Sequence, residues 1–163
     1  MPNFDIVSKI DIQKLDNAIN TVRKEILNRY DFNNSKSTID LDKKEMSLHI
    51  VTEQEMRMQT IQDIIISRMM KQGLDASCLD VGKELYASGN MVKKDIKIKT
   101  GVDKETGKKI VKLIKETGMK VQASIMDDQV RVTAKKIDDL QDVIAMLNTK
   151  DVGIPLQYEN FRN

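Results

Sequence analysis

The sequence predicts an α+β fold built from two ferredoxin-like (βαββαβ) domains in tandem, and three observations carry that prediction. Apolar residues alternate between a period of two and helical spacing in the order strand, helix, two strands, helix, strand, and this order occurs twice. Short segments recur inside matching elements: Ile61-Gln62-Asp63-Ile64-Ile65 returns as Leu140-Gln141-Asp142-Val143-Ile144. Likewise Ile50-Val51-Thr52 returns as Arg131-Val132-Thr133, and Asp5-Ile6 as Asp95-Ile96. The composition is globular, with 32 % charged and 40 % apolar residues, and its 2 prolines and 7 glycines leave little for a long flexible linker.

Each element has its own signal. Residues 4–8 alternate as a short strand, and Asp11 can cap a helix carrying Leu15, Ala18, Ile19, Val22, Ile26 and Leu27 at helical spacing. Residues 37–41 and 46–51 read as a hairpin around Asp42-Lys43-Lys44-Glu45. Thr52 or Glu53 then opens a helix with Met56, Ile61, Ile64, Ile65 and Met69 inward, ended by Gly73, and residues 78–81 form a brief strand. In the second round, residues 92–99 are a strand with Lys93, Asp95, Lys97 and Lys99 on one face and Lys94, Ile96 and Ile98 on the other. Residues 104–117 are a helix with Ile110, Val111, Leu113 and Ile114 inward, stopped at Gly118. A hairpin of 121–125 and 130–133 turns at Asp127-Asp128, followed by a helix over 137–147 and a strand over 154–161. Chain order alone gives domains at 1–88 and 89–163.

Net charge is +2, but its distribution is uneven: residues 1–90 balance to −2 and residues 91–163 to +4, with ten lysines against four acids in 93–120. A basic half points to an anionic partner, phosphate first. The chain shows no apolar run long enough for a membrane span and no secretory leader, and its single cysteine, Cys78, cannot form an internal disulfide. The expectation is a cytoplasmic protein without membrane association.

Catalysis finds little support in the spacing. His49 stands mid-strand, away from the face of Leu48 and Ile50, Cys78 has no CxxC partner, and no His, Cys and carboxylate cluster of metal-ligand spacing is visible. The stretch from Gly101 to Lys109 superficially resembles a phosphate loop, but its spacing is one residue too long and no Ser or Thr follows. No enzymatic activity, metal or cofactor is therefore expected. What remains is a constellation of cations: Lys108, Lys112 and Lys115 form a helical stripe with Lys109 beside it, Arg131 projects from a strand, and Lys135 and Lys136 open the next helix. A standard RNA-recognition sheet stacks bases on aromatics of its internal strands, and residues 46–51 and 130–133 hold none. Of the six aromatics, Phe4, Tyr30, Phe32, Tyr86, Tyr158 and Phe161, most sit where structural anchoring is expected.

The whole chain resembles the YajQ family of bacterial proteins. The resemblance runs through Met1-Pro2-Asn3-Phe4-Asp5-Ile6-Val7-Ser8, Arg29-Tyr30-Asp31-Phe32, Lys108-Lys109-Ile110-Val111-Lys112, Val130-Arg131-Val132-Thr133, Asp138-Asp139-Leu140-Gln141 and Leu156-Gln157-Tyr158-Glu159-Asn160-Phe161-Arg162. It implies RNP-like domains that exchange their first strands, so that the units would be 10–99 and 1–9 plus 100–163. It also implies binding of a nucleotide (GTP, ATP or cyclic di-GMP), with tRNA and a transcription factor as further partners. The candidate binding residues are Phe4, Asp5, Lys108, Lys109, Lys112, Arg131, Thr133, Lys135, Phe161 and Arg162. Ala134 stands where the family tends to have Gly, and Ile137 where it has Arg, which weakens any phosphate turn there. The reading is a non-catalytic binder of a guanine nucleotide or cyclic di-GMP on the basic second module, with RNA association or protein adaptation as alternatives.

Overall fold

A computed structural model describes residues 1–82 and 86–163, with backbone only at 86–88. Among the described residues the chain forms β1 (Asn3–Val7), α1 (Ile12–Asn28), β2 (Thr38–Asp42), β3 (Ser47–Thr52), α2 (Glu55–Lys71), β4 (Leu79–Asp80), β5 (Tyr86–Ser88) and β6 (Met91–Ile98). It continues with α3 (Lys104–Glu116), β7 (Val121–Met126), β8 (Gln129–Ala134), α4 (Ile137–Leu147) and β9 (Gln157–Arg162). Short 3-10 turns at Tyr30–Phe32 and Ala76–Cys78, and strand β5, are additions to the elements the sequence predicts. The Tyr86 side chain lies outside the described residues.

Two antiparallel sheets result, in the orders β7-β8-β1-β9 and β2-β3-β6-β4, with β5 paired to β6. Both have the ferredoxin-like order, but each takes its inner first strand from the other repeat. β1 lies between β8 and β9, and β6 lies between β3 and β4. The chain accordingly divides into two compact units, one of Met1–Lys9 with Thr100–Asn163 and one of Ile10–Lys99.

In the unit of Ile10–Lys99, α1 and α2 supply Leu15, Ile19, Ile61, Ile65 and Met69 to a core closed by Leu48, Ile50, Ile96 and Ile98 of the sheet. The Asp11 side chain accepts the backbone N–H groups of Gln13 and Lys14, which satisfies two donors of the first turn and fixes where α1 begins. Two predicted core residues are corrected. Leu27 is 83 % exposed and Met56 79 % exposed. Leu27 sits one residue beyond Ile26, about 100° around the helix from the buried stripe. Met56 precedes Ile61 by five residues, off the i, i+3, i+4 stripe, whereas Met58 lies on it and is buried. Gln54, without a side-chain bond to the helix, is the N-cap of α2 in place of Thr52 or Glu53.

In the other unit, Ile110 and Ile114 of α3 and Leu140, Val143 and Leu147 of α4 cover one face of the sheet through Phe4, Ile6, Val130, Val132 and Ala134. The Asp103 side chain caps α3 through the Thr106 N–H. With the even-numbered residues of β8 in this core, Arg131 and Thr133 must point to the opposite, open face. No helix among the described residues is long and apolar enough to cross a membrane.

Candidate functional site

The open face of the sheet β7-β8-β1-β9 is organised by a buried acid. Asp5 is fully buried, and its register partner on β8 is Arg131. Asp5 Oδ1 accepts the Arg131 Nε–H at 2.9 Å, while Oδ2 accepts from Asn160 Nδ2 at 3.0 Å and from an Arg162 terminal nitrogen at 3.1 Å. Burial pushes the Asp5 carboxyl up, but the hydrogen bonds from Arg131, Arg162 and Asn160 outweigh it and hold the group below its ordinary value.

A bulge makes this cluster. Regular alternation along β9 would put Arg162 on the same face as Tyr158, which packs against the core. At Asn160 the backbone has φ 57°, and the pairing of β1 with β9 shifts register between Asn3 and Asp5. The extra residue turns Phe161 onto the core side, where it stacks on Phe4 with ring centroids 5.4 Å apart, and returns Arg162 to the open face. Asn160 is a site residue that sequence reasoning missed. Asn tolerates positive φ better than most residues, and that is the one signal it offers.

At the end of this face where β8 leaves the sheet lies a groove of about 670 Å³, lined by Lys120, Gln122, Thr133, Lys135, Lys136 and Asp139 among others. Lys136 is the N-cap of α4 and its side chain makes no capping bond, so the first-turn N–H groups have no side-chain acceptor from that position. Asp138 and Asp139 in the same turn already answer part of the helix dipole. The Ala134 N–H is occupied by the Pro2 carbonyl at 3.0 Å, so that amide does not serve an anion.

The structure brings some candidates together and separates others. Arg131, Thr133 and Lys135 follow one another at i, i+2 and i+4 along and just beyond β8, and Arg162 reaches the same Asp5. Phe4 and Asp5 are wholly buried and act from beneath, so Phe4 offers no free ring face, whereas Phe161 is 55 % exposed. Lys108, Lys109 and Lys112 are exposed on α3, which packs on the sheet's covered face, so they lie on the far side of the sheet from Arg131. The basic second module thus presents two separate positive surfaces.

Other groups singled out in the sequence take structural places. Cys78 is buried, and burial raises its thiol pKa, which keeps it protonated and unreactive. Asp127 forms the β7–β8 turn with φ 52°. Although the sequence spacing shows no metal-ligand cluster, folding of the β2–β3 hairpin gathers Asp42, Glu45 and His49, with one donor atom of each within 4.8 Å of the others.

One of the two ferredoxin-like sheets thus carries a carboxylate-locked arginine and, at one end, a lysine-lined groove, a cluster of cations of the kind that attracts anions. The chain belongs to the family described as "Nucleotide-binding protein YajQ-like", whose model matches residues 2–162. Similar proteins include a "Nucleotide-binding protein" of Cytophaga hutchinsonii, 59 % identical over 99 % of this chain and 100 % of that protein. One of Geotalea daltonii, with the same name, is 52 % identical over 99 % of each chain, and one of Oleidesulfovibrio alaskensis is 48 % identical over the full length of both.

Proposed function

We propose that this protein binds a nucleotide without transforming it, and that the ligand is a guanine nucleotide or cyclic di-GMP held on the open face of the sheet β7-β8-β1-β9. The observation that carries this is the continuity of Arg131, Thr133 and Lys135 with the groove of Lys120 and Lys136. Residues two apart on a strand are about 6.7 Å apart, the scale that separates a phosphate from its sugar and base. Asp5 holds Arg131 by Nε, and among the described residues no partner takes its two terminal nitrogens. That leaves a planar fork for a phosphate or the O6/N7 edge of guanine. Phe161 stacks on Phe4 on the core side of the sheet, so on the open face Arg162 is the group that extends the cationic surface towards β9. The names of the relatives support nucleotide binding, and the groove's volume falls in the range of small-ligand sites.

Isothermal calorimetry with GTP, ATP and cyclic di-GMP tests the site. Lys135→Ala with Lys136→Ala is expected to weaken binding about tenfold or more, as two charge-assisted phosphate contacts are lost, whereas Lys112→Ala on the far surface leaves it unchanged. Equal affinity in the double variant and the wild type overturns the assignment.

The lysines of α3 favour a second reading, in which the anion is a longer one such as tRNA that reaches both surfaces. Its affinity would fall steeply with salt, and Lys112→Ala would then weaken it. A protein adaptor, for instance to a transcription factor, predicts instead that no nucleotide raises the melting temperature.

A further inference from the structure

The sheet β2-β3-β6-β4 repeats the acid–base pair of its counterpart with a different base. Asp95 stands opposite His49 between β6 and β3, as Asp5 stands opposite Arg131 between β1 and β8. Asp5 is already neutralised by two permanently charged groups, Arg131 and Arg162. Imidazole is neutral over much of the physiological range, and around His49 the acids Asp42, Glu45 and Asp95 gather.

The geometry is that of an oriented ligand set. Asp95 Oδ1 lies 2.6 Å from His49 Nδ1, which fixes the ring and places its proton on Nδ1, leaving the Nε2 lone pair for a metal. Asp42 Oδ1 accepts the backbone N–H groups of Lys44 and Glu45, both at 3.0 Å, which holds the carboxylate still and leaves Oδ2 unused. The Glu45 carboxylate has no hydrogen bond or ion pair among the described residues. Lys43, in the same turn, is drawn away to Asp16 at 3.5 Å. The Ser47 hydroxyl lies 3.2 Å from Nε2, a long contact that a metal would displace. Lys93 and Lys97, on the Asp95 face of β6, and Lys44 in the turn are the opposing charges here, Lys97 being in register with Ser47.

We propose that Asp42, Glu45 and His49 bind a first-row divalent cation such as Zn²⁺, with Asp95 as the residue that positions the imidazole. One nitrogen and two carboxylates suit zinc or manganese rather than calcium or magnesium, which take oxygen ligands, and water completes the coordination.

The test uses the full chain freed of metal by a chelator and titrated with Zn²⁺, followed by calorimetry and by NMR of the imidazole. His49 is the only histidine, so its signals are unambiguous. One equivalent is expected to bind while the imidazole resonances move with the heat released. His49→Ala abolishes this event, Asp42→Asn and Glu45→Gln each weaken it about tenfold or more, and Asp95→Asn weakens it about tenfold. All four side chains are at least partly exposed, so the circular dichroism spectrum and melting temperature of the metal-free variants should match wild type, which separates lost ligation from lost folding. Absence of saturable binding, unchanged binding in His49→Ala, or equal competition by Mg²⁺ overturns the proposal.

Discussion

Replacing Asp5 should damage the protein out of proportion to a single polar residue near the start of the chain. The carboxylate is fully buried and accepts three hydrogen bonds at 2.9, 3.0 and 3.1 Å from Arg131, Asn160 and Arg162. A hydrogen bond to a charged group contributes about 1.5–3 kcal/mol. The side chains of Arg131 and Arg162 are 34 % and 43 % exposed, so water recovers much of their loss once the acid is gone. That discount brings Asp5→Ala to about 2–3 kcal/mol, a fall in melting temperature of roughly 4–8 °C per kcal/mol for a unit of this size. Urea denaturation of wild type and variant measures it, and a loss below about 0.5 kcal/mol, the range of ordinary surface changes, would refute the buried-anchor argument. The sign with pH provides a second check. A carboxyl held below its ordinary value of 3.8 stabilises the fold above that value, and the contribution disappears as pH falls through the folded-state pKa. Asp5→Asn should therefore be less stable than wild type near neutrality and should close the gap in acid.

Gly101→Ala should cost about 1–2 kcal/mol, because φ is +81° and an added Cβ would lie 3.1 Å from Asp128 Cβ. A melting midpoint equal to wild type would contradict that strain. A fragment of residues 10–99 contains all of β2, β3, β4 and β6 with α1 and α2, and is expected to melt cooperatively; residues 1–90, which lack β6, should stay unfolded by circular dichroism. A cooperative 1–90 fragment would argue against the exchange of strands. Phe161→Ala should lose about 0.5–1.5 kcal/mol from the ring stacked on Phe4. A urea midpoint equal to wild type would contradict that stacking.

Much of the fold was legible because the local signals agree with the tertiary ones. The stripe Leu15, Ala18, Ile19, Val22 and Ile26 is helical in spacing and buried in fact, and the alternation of Val130 and Val132 against Arg131 and Thr133 places the two sets on opposite faces. Met56 failed because its hydrophobicity was weighed without its phase, which Met58 satisfies. The site was less legible, since it depends on pairings across long separations. Nothing local says that Asp5 meets Arg131, or that a bulge at Asn160 turns Arg162 back towards it. Lys112 and Arg131 are both basic and close in sequence, yet a sheet stands between them, which charge counting cannot register. His49 reads as a solvent-facing strand residue until β6, from the other repeat, brings Asp95 beside it.

Strand exchange also imposes an order on synthesis. β1 emerges well before its partners, β8 and β9. At about 5–20 residues per second, ribosomal elongation makes it wait of order ten seconds for them. Throughout that time Phe4 and Ile6 are unpaired apolar side chains next to a carboxylate with no arginine, while the β2-β3-β6-β4 sheet can already close. The nascent chain therefore carries a sticky, unmatched β1 ribbon ahead of a finished unit, a state in which a second chain's β8 and β9 could capture it. Dimers swapped through β1 should accordingly rise with translation rate and local chain density.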